Sequence, residues 1–367
     1  MPYPKTVRGN VVCVTRRDHS QVAVIDLFCG AGGLSFGLVS AGVDVVAGFD
    51  IDADCRYPFE SNIAGAVFLE RDVRTLSADD LDDLWPKGAI RVLAGCAPCQ
   101  PFSPYRRGTT RFGDEKWSLL REFTRLVRET RPEFVTTENV PPLASTSVFR
   151  EFVKALKDLG YSIDSGNRSC LDYGLPQSRR RLVLVASLLG EVAIPDGPLA
   201  GHPPSTVGDA IRVLPPIAAG GADQDDPLHC SRNLEPINLR RIQASTPGGT
   251  WLDWPEELRS PCHRRSSGAS FKNVYARMEW DKPSPTLTTH FHNFGTGRFG
   301  HPEQDRAISV REAAMLQGFP RDYLFVEPGE KVRFTTLGRL IGNAVPPPLG
   351  RAIGEAMVNQ AKANGHG

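Results

Sequence analysis

Residues 22–41 read VAVIDLFCGAGGLSFGLVSA, and this stretch decides the fold of the chain. Its apolar run from Val22 to Phe28 predicts a buried strand, and the pattern from Leu34 to Ala41 predicts a helix. Glycines between strand and helix let the backbone turn tightly and let a ligand approach the start of the helix. Because Ser35 occupies the third glycine position of the G-x-G-x-x-G pattern, the spacing disfavours a nicotinamide dinucleotide.

Four further apolar runs predict strands, and each leads to a residue that carries chemistry. The runs are 45–49, 66–69, 90–93 and 134–137, and they lead to Asp50, Asp72, Cys99 and Glu138. Ligands of open α/β sheets bind at the carboxyl ends of the strands, so we expect these side chains on one face. Asp50 is placed to accept hydrogen bonds from ribose hydroxyls, and Asp72 is the candidate for the adenine end of a cofactor. The pattern predicts an α/β fold with a doubly wound, mostly parallel sheet.

Cys99 lies in the loop Gly95–Ser103, directly after a predicted strand. A thiol at that place reaches a ligand, but an isolated cysteine is more often a small hydrophobic residue at a strand end. Cys96 and Cys99 also form a C-x-x-C pair, which keeps a redox function open. The basic segment 104–111 follows, and it fits either a mobile lid with arginines for phosphates or a solvated surface loop.

Composition bounds the class of protein. The chain has 367 residues, of which 40% are hydrophobic. Its formal net charge is only +1, so the overall charge does not indicate a nucleic-acid partner. We find no apolar run of the roughly 20 residues that span a bilayer, and residues 1–21 are polar and contain no apolar h-region. We therefore expect a cytoplasmic protein without a membrane partner. Eight scattered cysteines predict reduced thiols rather than a disulfide framework.

From about Gly190 the regular α/β alternation ends, which predicts a second unit. Basic residues among its glycine turns, such as Arg240 and Arg241, fit contacts with a phosphate backbone, although a solvated surface fits as well. His229–Cys230 and Cys262–His263 lack the spacing of a zinc site, so we expect no metal. Just before this unit, Gln177, Arg179 and Arg181 alternate along an extended segment and are expected to face the same way.

The ordered motifs of the chain resemble those of the C5-cytosine DNA methyltransferases. They are Asp26–Gly33, Pro98-Cys99-Gln100, Glu138-Asn139-Val140, Gln177-x-Arg179-x-Arg181 and Gly342-Asn343-Ala344-Val345-Pro346. The resemblance implies a Rossmann-like methyltransferase domain over residues 1–189 and 306–367, with a smaller, irregular target-recognition domain over 190–305. Mild departures are Gly95-Cys96-Ala97 before Pro98, and Ala344 where serine is frequent.

The resemblance also implies S-adenosylmethionine as methyl donor and assigns catalytic roles. Cys99 would add to C6 of cytosine while Glu138, with a raised pKa, donates a proton or hydrogen bond at N3. Arg179 and Arg181 would hold the pyrimidine carbonyl and a nearby phosphate. Since C6 is inaccessible in a stacked duplex, the cytosine must be flipped out. No residue can be named as the base that removes the C5 proton.

The remaining assignments by resemblance concern the two substrates. The residues expected to line the donor pocket are Phe28, Gly30, Gly32, Asp50, Ile51, Asp72, Val73, Pro98, Leu119, Asn343 and Ala344, although Ile51 and Val73 also fit core positions. The residues expected to contact substrate DNA are Gln100, Ser103, Arg106, Arg107, Val140 and Gln177.

Two other functions stay open at this point: an RNA methyltransferase with the same chemistry, and a DNA-binding regulator without activity. Retention of both Cys99 and Glu138 speaks against the regulator. The expected partners are double-stranded DNA and a cognate restriction endonuclease, and we expect the protein to act as a monomer. The amino-acid sequence does not indicate which DNA sequence is recognised, because recognition of the bases depends on a few side chains held by irregular loops.

Overall fold

The computed structural model describes residues 3–7, 10–14, 21–98, 118–265 and 271–365. At the start, strands β1 (Tyr3–Val7) and β2 (Asn10–Val14) pair with each other in antiparallel register. The sequence of residues 1–21 suggests a basic extension in which 11–14 could form an edge strand, and the structure adds the partner strand β1.

A seven-stranded sheet forms the centre of the first part of the chain. Its strand order is β5-β4-β3-β6-β7-β10-β8, and only β10 runs antiparallel to its neighbours β7 and β8. The predicted α/β class with a mostly parallel sheet is therefore confirmed. The strands are β3 (Val22–Leu27), β4 (Asp44–Asp50), β5 (Val67–Glu70), β6 (Ile90–Gly95), β7 (Phe134–Asn139), β8 (Ser162–Ser169) and β10 (Arg180–Ser187), with a short β9 (Gln177–Ser178) outside this sheet.

The register of the parallel strands brings their ends to one edge. Leu27, the last residue of β3, pairs with Phe49 on one side and Gly95 on the other. Thr136 of β7 pairs with Ala94 of β6, so Glu138 comes at the same level of the sheet. Every residue of β3 is buried, as its continuous apolar run predicts for a central parallel strand.

Ten α-helices are found in the described residues. They are α1 (Gly33–Ser40), α2 (Arg56–Asn62), α3 (Ala78–Asp82), α4 (Ser118–Thr130), α5 (Ser147–Asp158), α6 (Val207–Ile211), α7 (Pro236–Gln243), α8 (Val310–Leu316), α9 (Phe334–Asn343) and α10 (Pro347–Ala363). In α4 the apolar residues at helical spacing, Leu120, Phe123, Leu126 and Val127, are buried and form the face that packs on the core. No helix in these ranges is long and apolar enough to cross a membrane.

Helices α1 and α10 approach each other through glycine. A Cβ atom on Gly37 of α1 would lie 2.3 Å from the carbonyl oxygen of Pro347. On α10, a Cβ on Gly350 would lie 2.8 Å from the carbonyl oxygen of Leu34. The absence of side chains at these positions lets the two backbones pack directly, and α10 covers the start of α1.

The chain divides into two compact units. Unit 1 comprises Met1–Ser169, Arg180–Gly197 and Val345–Gly367, and unit 2 comprises Cys170–Arg179 and Pro198–Ala344. These limits differ from the predicted domain limits in three segments, because 190–197 makes its compact contacts within unit 1, whereas 170–179 and 306–344 make theirs within unit 2. The functional assignment of the two domains stays a prediction.

Unit 2 has an aromatic core and a buried ionic cluster. Trp251 and Trp254 pack with Ile242 and Phe294 in the core. Arg306 donates two hydrogen bonds of 2.7 Å to the carboxylate of Glu312, and neither side chain is exposed. A short parallel pair joins β9 to β11 (Ser284–Pro285). Irregular backbone elsewhere fits the proline- and glycine-rich composition of this region.

Candidate active site

Glu138 and Arg181 form a buried ion pair at the end of β7. Val183 of β10 lies opposite Glu138 in the antiparallel pair, so Arg181 is its diagonal neighbour and a long side chain reaches across. Arg181 Nε lies 2.8 Å from Glu138 Oε1, and the two side chains are 12% and 7% exposed. An acid and a fixed cation therefore stand together where the strands end.

Asn139 connects this pair to the segment that leads to Cys99. Its Nδ2 donates a 2.9 Å hydrogen bond to the carbonyl oxygen of Ala97, and its Oδ1 accepts one from the backbone N–H of Val140. The side chain is buried, so this link holds residues 96–98 beside the end of β7. Sequence reasoning gave Asn139 no role of its own, although its position directly after Glu138 was the available signal.

Cys96 is half-buried near Glu138. Burial raises the pKa of its thiol far above the ordinary value, and the charges of Glu138 and Asp26 raise it further. A thiol with a raised pKa stays protonated at neutral pH and is a poor nucleophile. Cys96 is therefore unsuited to be the attacking thiol of a C-x-x-C redox pair.

The glycine loop after β3 has three residues in the left-handed region. Phe28 has φ 62°, Gly30 has φ 54° and Gly32 has φ 86°. A bulky residue with positive φ is a conformational outlier, and such outliers cluster at ligand sites. The loop ends at Gly32, which caps the N-terminus of α1 and leaves the first backbone N–H groups of that helix available to a ligand.

Two carboxylates stand at the neighbouring strand ends, as predicted. Asp50 accepts 3.1 Å hydrogen bonds from the backbone N–H groups of Gly30 and Asp52, so it ties the glycine loop to the end of β4. Asp72 accepts hydrogen bonds from the backbone and side chain of Arg74. These hydrogen bonds and the charge of Arg74 lower the pKa of Asp72, which is ionised at neutral pH.

The apolar residues assigned to the donor differ in exposure. Ile51 is 69% exposed, so it is free to cover a ligand, whereas Val73 is 2% exposed and belongs to the core. The sequence left open that Val73 is a core residue, and the structure places its side chain in the core. Pro98 is exposed and Leu119 is half-buried against the core. Asn343 and Ala344 lie at and just after the end of α9, in unit 2.

Gln177 and Arg179 differ from Arg181 in their surroundings. As predicted, burial alternates along this segment, since Ser178 and Arg180 are exposed. However, Gln177 is fully buried, and its amide is engaged by Leu287, Leu316 and Gln317. The assignment of Gln177 to the substrate stays a prediction. Arg179 is 2% exposed and donates to backbone carbonyls of unit 2. The alternation of residues along the segment predicted correctly that Gln177 and Arg179 face the same way. It could not identify their hydrogen-bond partners.

Five predicted site residues lie outside the described residues. They are Cys99, Gln100, Ser103, Arg106 and Arg107, together with the rest of the proposed lid. Their assignments stay predictions.

Asp26 is a buried acid for which the sequence suggested no role. It is 1% exposed within β3 and accepts a 2.6 Å hydrogen bond from Ser35 Oγ. Burial raises its pKa to about 7, although the hydrogen bond from Ser35 opposes this shift. The available signal was one acidic residue inside an otherwise apolar strand.

The two histidine–cysteine pairs have structural surroundings. The ring of His229 lies 2.9 Å from Ser309 Oγ and 2.8 Å from the carbonyl oxygen of Pro215. His263 stacks on Trp251 with ring centroids 4.4 Å apart. Six cysteines with described side chains are free thiols: Cys29, Cys55, Cys96, Cys170, Cys230 and Cys262.

Comparison with known proteins identifies the family. The model for the C-5 cytosine-specific DNA methylases matches residues 22–359. The chain is 48% identical over 338 residues to the Type II methylase M.HgiDII of Herpetosiphon aurantiacus, which covers 91% of this chain and 94% of the relative. It is 34% identical to the Type II methyltransferase M1.HphI of Haemophilus parahaemolyticus, over 91% of this chain and 86% of the relative.

A solved structure supports the fold. The crystal structure of the Dnmt2 methyltransferase of S. pombe superposes with a TM-score of 0.58 at 18% identity, covering 93% of this chain and 99% of that chain. At this identity the likeness concerns the fold alone. The family that the motifs predicted is thus confirmed, and the chain belongs to the C-5 cytosine-specific DNA methylases, enzymes that methylate C5 of cytosine in DNA.

Proposed function

We propose that the protein transfers a methyl group from S-adenosylmethionine to C5 of a flipped-out cytosine in a specific double-stranded DNA sequence, through a covalent bond between Cys99 and C6. The observation that carries the proposal is the buried pair of Glu138 and Arg181 beside the segment that leads to Cys99. An acid and a cation at this place match the two polar edges of a cytosine ring.

The proposed chemistry makes C5 a nucleophile for one step. Cys99, as thiolate, forms a bond to C6 while Glu138 provides a proton or hydrogen bond at N3, so the ring electrons become available at C5. When bound, S-adenosylmethionine would supply the electrophilic methyl group: the bond from sulfur to the methyl carbon breaks as the bond to C5 forms, and S-adenosylhomocysteine is the product. Loss of the C5 proton to a base then lets the C6–S bond break and restores the aromatic ring and the free Cys99.

Arg181 is proposed to hold the pyrimidine carbonyl. Its guanidinium has five N–H donors; Nε lies in the ion pair with Glu138 and Nη1 donates to the carbonyl oxygen of Arg180, so other donors remain for the base. A partly buried cation also favours thiolate formation at a nearby cysteine.

The donor-pocket residues fit an adenosine. The carboxylate of Asp50, held at the end of β4 by the backbone N–H groups of Gly30 and Asp52, is an acceptor that suits ribose hydroxyls. The exposed side chain of Ile51 offers an apolar surface for a ring, and ionised Asp72 suits an exocyclic amine. Phe28 completes the set of side chains that would hold the donor. The backbone N–H groups at the start of α1 would bind the carboxylate of S-adenosylmethionine.

The test is methyl transfer from labelled S-adenosylmethionine to duplex DNA, with tRNA as the alternative acceptor. Label in duplex DNA supports the proposal. Label in tRNA alone would identify an RNA methyltransferase, and label in neither would favour a DNA-binding regulator. Sequencing of methylated genomic DNA from cells that express the protein identifies the target site.

Replacement of Cys99 tests the covalent step. Cys99→Ser is expected to retain binding of S-adenosylmethionine in calorimetry and to lose turnover, because a hydroxyl is far less ionised than a thiol at neutral pH. Cys262→Ser, at an exposed cysteine of unit 2, serves as the matched control and keeps the wild-type rate. A Cys99→Ser variant that turns over at the wild-type rate removes Cys99 from the mechanism.

The relatives named as Type II methylases suggest the biological setting. We propose that a cognate restriction endonuclease recognises the same DNA site, and that the methyltransferase acts as a monomer on one cytosine at a time. Plasmid DNA methylated by this protein should resist cleavage by that endonuclease, and size-exclusion chromatography with light scattering reports the oligomeric state.

A further inference from the structure

Three long polar side chains form a buried cluster in unit 2, which we call the amide–guanidinium cluster. It consists of Gln177, Arg179 and Gln317, which are 0%, 2% and 0% exposed. Burying an arginine is unfavourable unless its N–H groups find acceptors, so the contacts of this cluster explain why these residues are inside. All three belong to unit 2.

Arg179 and Gln317 converge on the turn that follows α9. Arg179 Nη2 donates to the carbonyl oxygens of Gly342 and Ala344, each at 3.3 Å. Gln317 Nε2 donates to the same oxygen of Ala344 at 2.6 Å. Two side chains that are far apart in sequence therefore hold one carbonyl group from two sides.

Gln177 and Arg179 attach the turn to the rest of unit 2. Gln177 Nε2 donates to Gln317 Oε1 at 2.9 Å, and its Oε1 accepts from the backbone N–H of Leu287 at 2.9 Å. Arg179 Nη1 donates to the carbonyl oxygen of Leu287 at 3.4 Å. The cluster thus joins four segments of backbone at 177–179, 287, 316–317 and 342–344.

The turn itself is closely packed. A Cβ atom on Gly342 would lie 2.7 Å from the backbone of Thr288 and Thr289, so the chain at 342 lies directly against the segment that follows Leu287. Asn343 remains exposed at the surface of this turn, while its neighbour on each side is held through its carbonyl oxygen. The backbone around Asn343 is therefore fixed and its side chain is presented.

We propose that Arg179 is a positioning residue that fixes the Gly342–Ala344 turn for binding of the methyl donor, rather than a residue that holds the cytosine. This inference rests on the proposed function and on the assignment of Asn343 and Ala344 to the donor by the family resemblance. A guanidinium suits the task because its planar set of five donors reaches several carbonyl groups at once. A lysine ammonium is a compact donor and cannot reproduce this geometry.

The two roles predict opposite kinetic changes. A positioning role toward the donor raises the KM for S-adenosylmethionine, whereas a role on the cytosine lowers kcat. We expect Arg179→Lys to raise the donor's KM at least tenfold and to change kcat by less than threefold. Arg180→Lys is the matched control, because Arg180 is the exposed neighbour, and it should leave the donor's KM within twofold of wild type.

Gln317→Met supplies an independent variant of the same cluster. It removes the hydrogen bond to Ala344 while keeping the length of the side chain, so the donor's KM should again rise more than kcat falls. Because Arg179 and Gln317 share the Ala344 carbonyl, the KM of the double variant should rise by less than the product of the two single effects.

The proposal is overturned if kcat falls by a larger factor than the factor by which the KM for S-adenosylmethionine rises. It is also overturned if the KM of the double variant rises by the full product of the two single effects. If Arg179→Lys does not fold, Gln317→Met is judged by the same kinetic order. Failure of the proposed function is distinct, since the wild-type protein itself would then transfer no methyl group to DNA.

Discussion

Two buried acids near the carboxyl edge of the sheet, Glu138 and Asp26, have contrasting neighbours. Glu138 lies 2.8 Å from the guanidinium of Arg181, whereas Asp26 receives a hydrogen bond from the neutral hydroxyl of Ser35. A cation stabilises a buried carboxylate, and burial without one favours the neutral acid. At the scale of single residues, the partner of each acid determines what it can contribute at neutral pH.

For Glu138 we predict a catalytic effect without an effect on the donor. Glu138→Gln keeps the shape of the side chain but removes the group that supplies a proton, so kcat should fall by about 100-fold or more. Calorimetry should show donor affinity within twofold of wild type. Glu151→Gln, at an exposed surface pair with Arg121, serves as control. A Glu138→Gln rate within tenfold of wild type would contradict the role proposed for Glu138.

For Asp26 we predict a pH-dependent effect on stability. Its pKa is about 7 in the folded protein and near 3.8 when unfolded, so the folded state binds the proton more tightly. Between these values the contribution of Asp26 to stability falls as pH rises, by about 2–4 kcal/mol at most. Asp26→Asn cannot ionise and should lose this dependence.

Urea unfolding at pH 5 and pH 8 measures the effect of Asp26. The stability of Asp26→Asn relative to wild type should increase from the lower to the higher pH. Ser40→Ala, at an exposed position of α1, is the control and should show no such change. A constant difference between Asp26→Asn and wild type would show that Asp26 is ionised at both pH values.

At the scale of elements, α8 is organised by its first turn. Ser309 and Glu312 form a reciprocal capping box, and Glu312 also binds Arg306 through both carboxylate oxygens. Desolvation disfavours ionisation of Glu312, but hydrogen bonds from Arg306 and its charge outweigh it, so the pKa of Glu312 is lowered. One side chain therefore starts the helix and neutralises a fully buried cation.

We predict that Glu312→Gln destabilises unit 2 by about 3–5 kcal/mol, because it leaves the Arg306 charge buried without a counterion. Urea unfolding followed by tryptophan fluorescence reports on Trp251 and Trp254 in the core of this unit. The stability from Glu312 is present above its unfolded pKa and is lost as pH falls through the lowered folded pKa.

The matched control for Glu312 is a surface ion pair of α10. Glu355 binds Arg351 one helical turn away, and both side chains are exposed. Glu355→Gln should change stability by less than about 0.5 kcal/mol, because exposed pairs contribute little. Similar losses in Glu312→Gln and Glu355→Gln would show that burial of the Arg306 charge has no special cost.

The elements differ in how far the sequence predicts them. Central strands such as β3 and β6 were placed within about two residues, because burial on both faces requires a continuous apolar run. For strand β8 the sequence offers only the short apolar run 161–163, whereas the strand spans Ser162–Ser169, because this edge strand is largely polar and half-exposed. In the candidate site, the positions of Asp50 and Glu138 at strand ends could be predicted from the local sequence. The hydrogen-bond partners of Gln177 could not, because they come from segments that are distant in sequence.

At the scale of the whole molecule, the chain leaves unit 1 and returns to it twice. Unit 1 is built from Met1–Ser169, Arg180–Gly197 and Val345–Gly367, so its last segment joins it only after unit 2 has been traversed. That segment contains α10, in which Leu349, Ile353 and Met357 are completely buried. The stability of unit 1 therefore depends on residues from both halves of the sequence.

We predict that a chain ending after Ala344 does not form a stable unit 1. Each of the three large side chains lost from α10 contributes about 1.5–3 kcal/mol through burial, which together approaches the whole stability of a typical domain. Circular dichroism should show the loss of a cooperative transition. A chain ending after Asn364 keeps α10 and should unfold like wild type. Cooperative unfolding of the shorter chain at the wild-type midpoint would contradict this dependence.

The contact of α1 with α10 through glycine also determines when unit 1 can be completed during translation. Helix α1 leaves the ribosome early, yet the helix that covers it begins only at Pro347. A nascent chain therefore carries an uncovered face on α1 while unit 2 is being made. Methylating activity should therefore first appear after translation of α10.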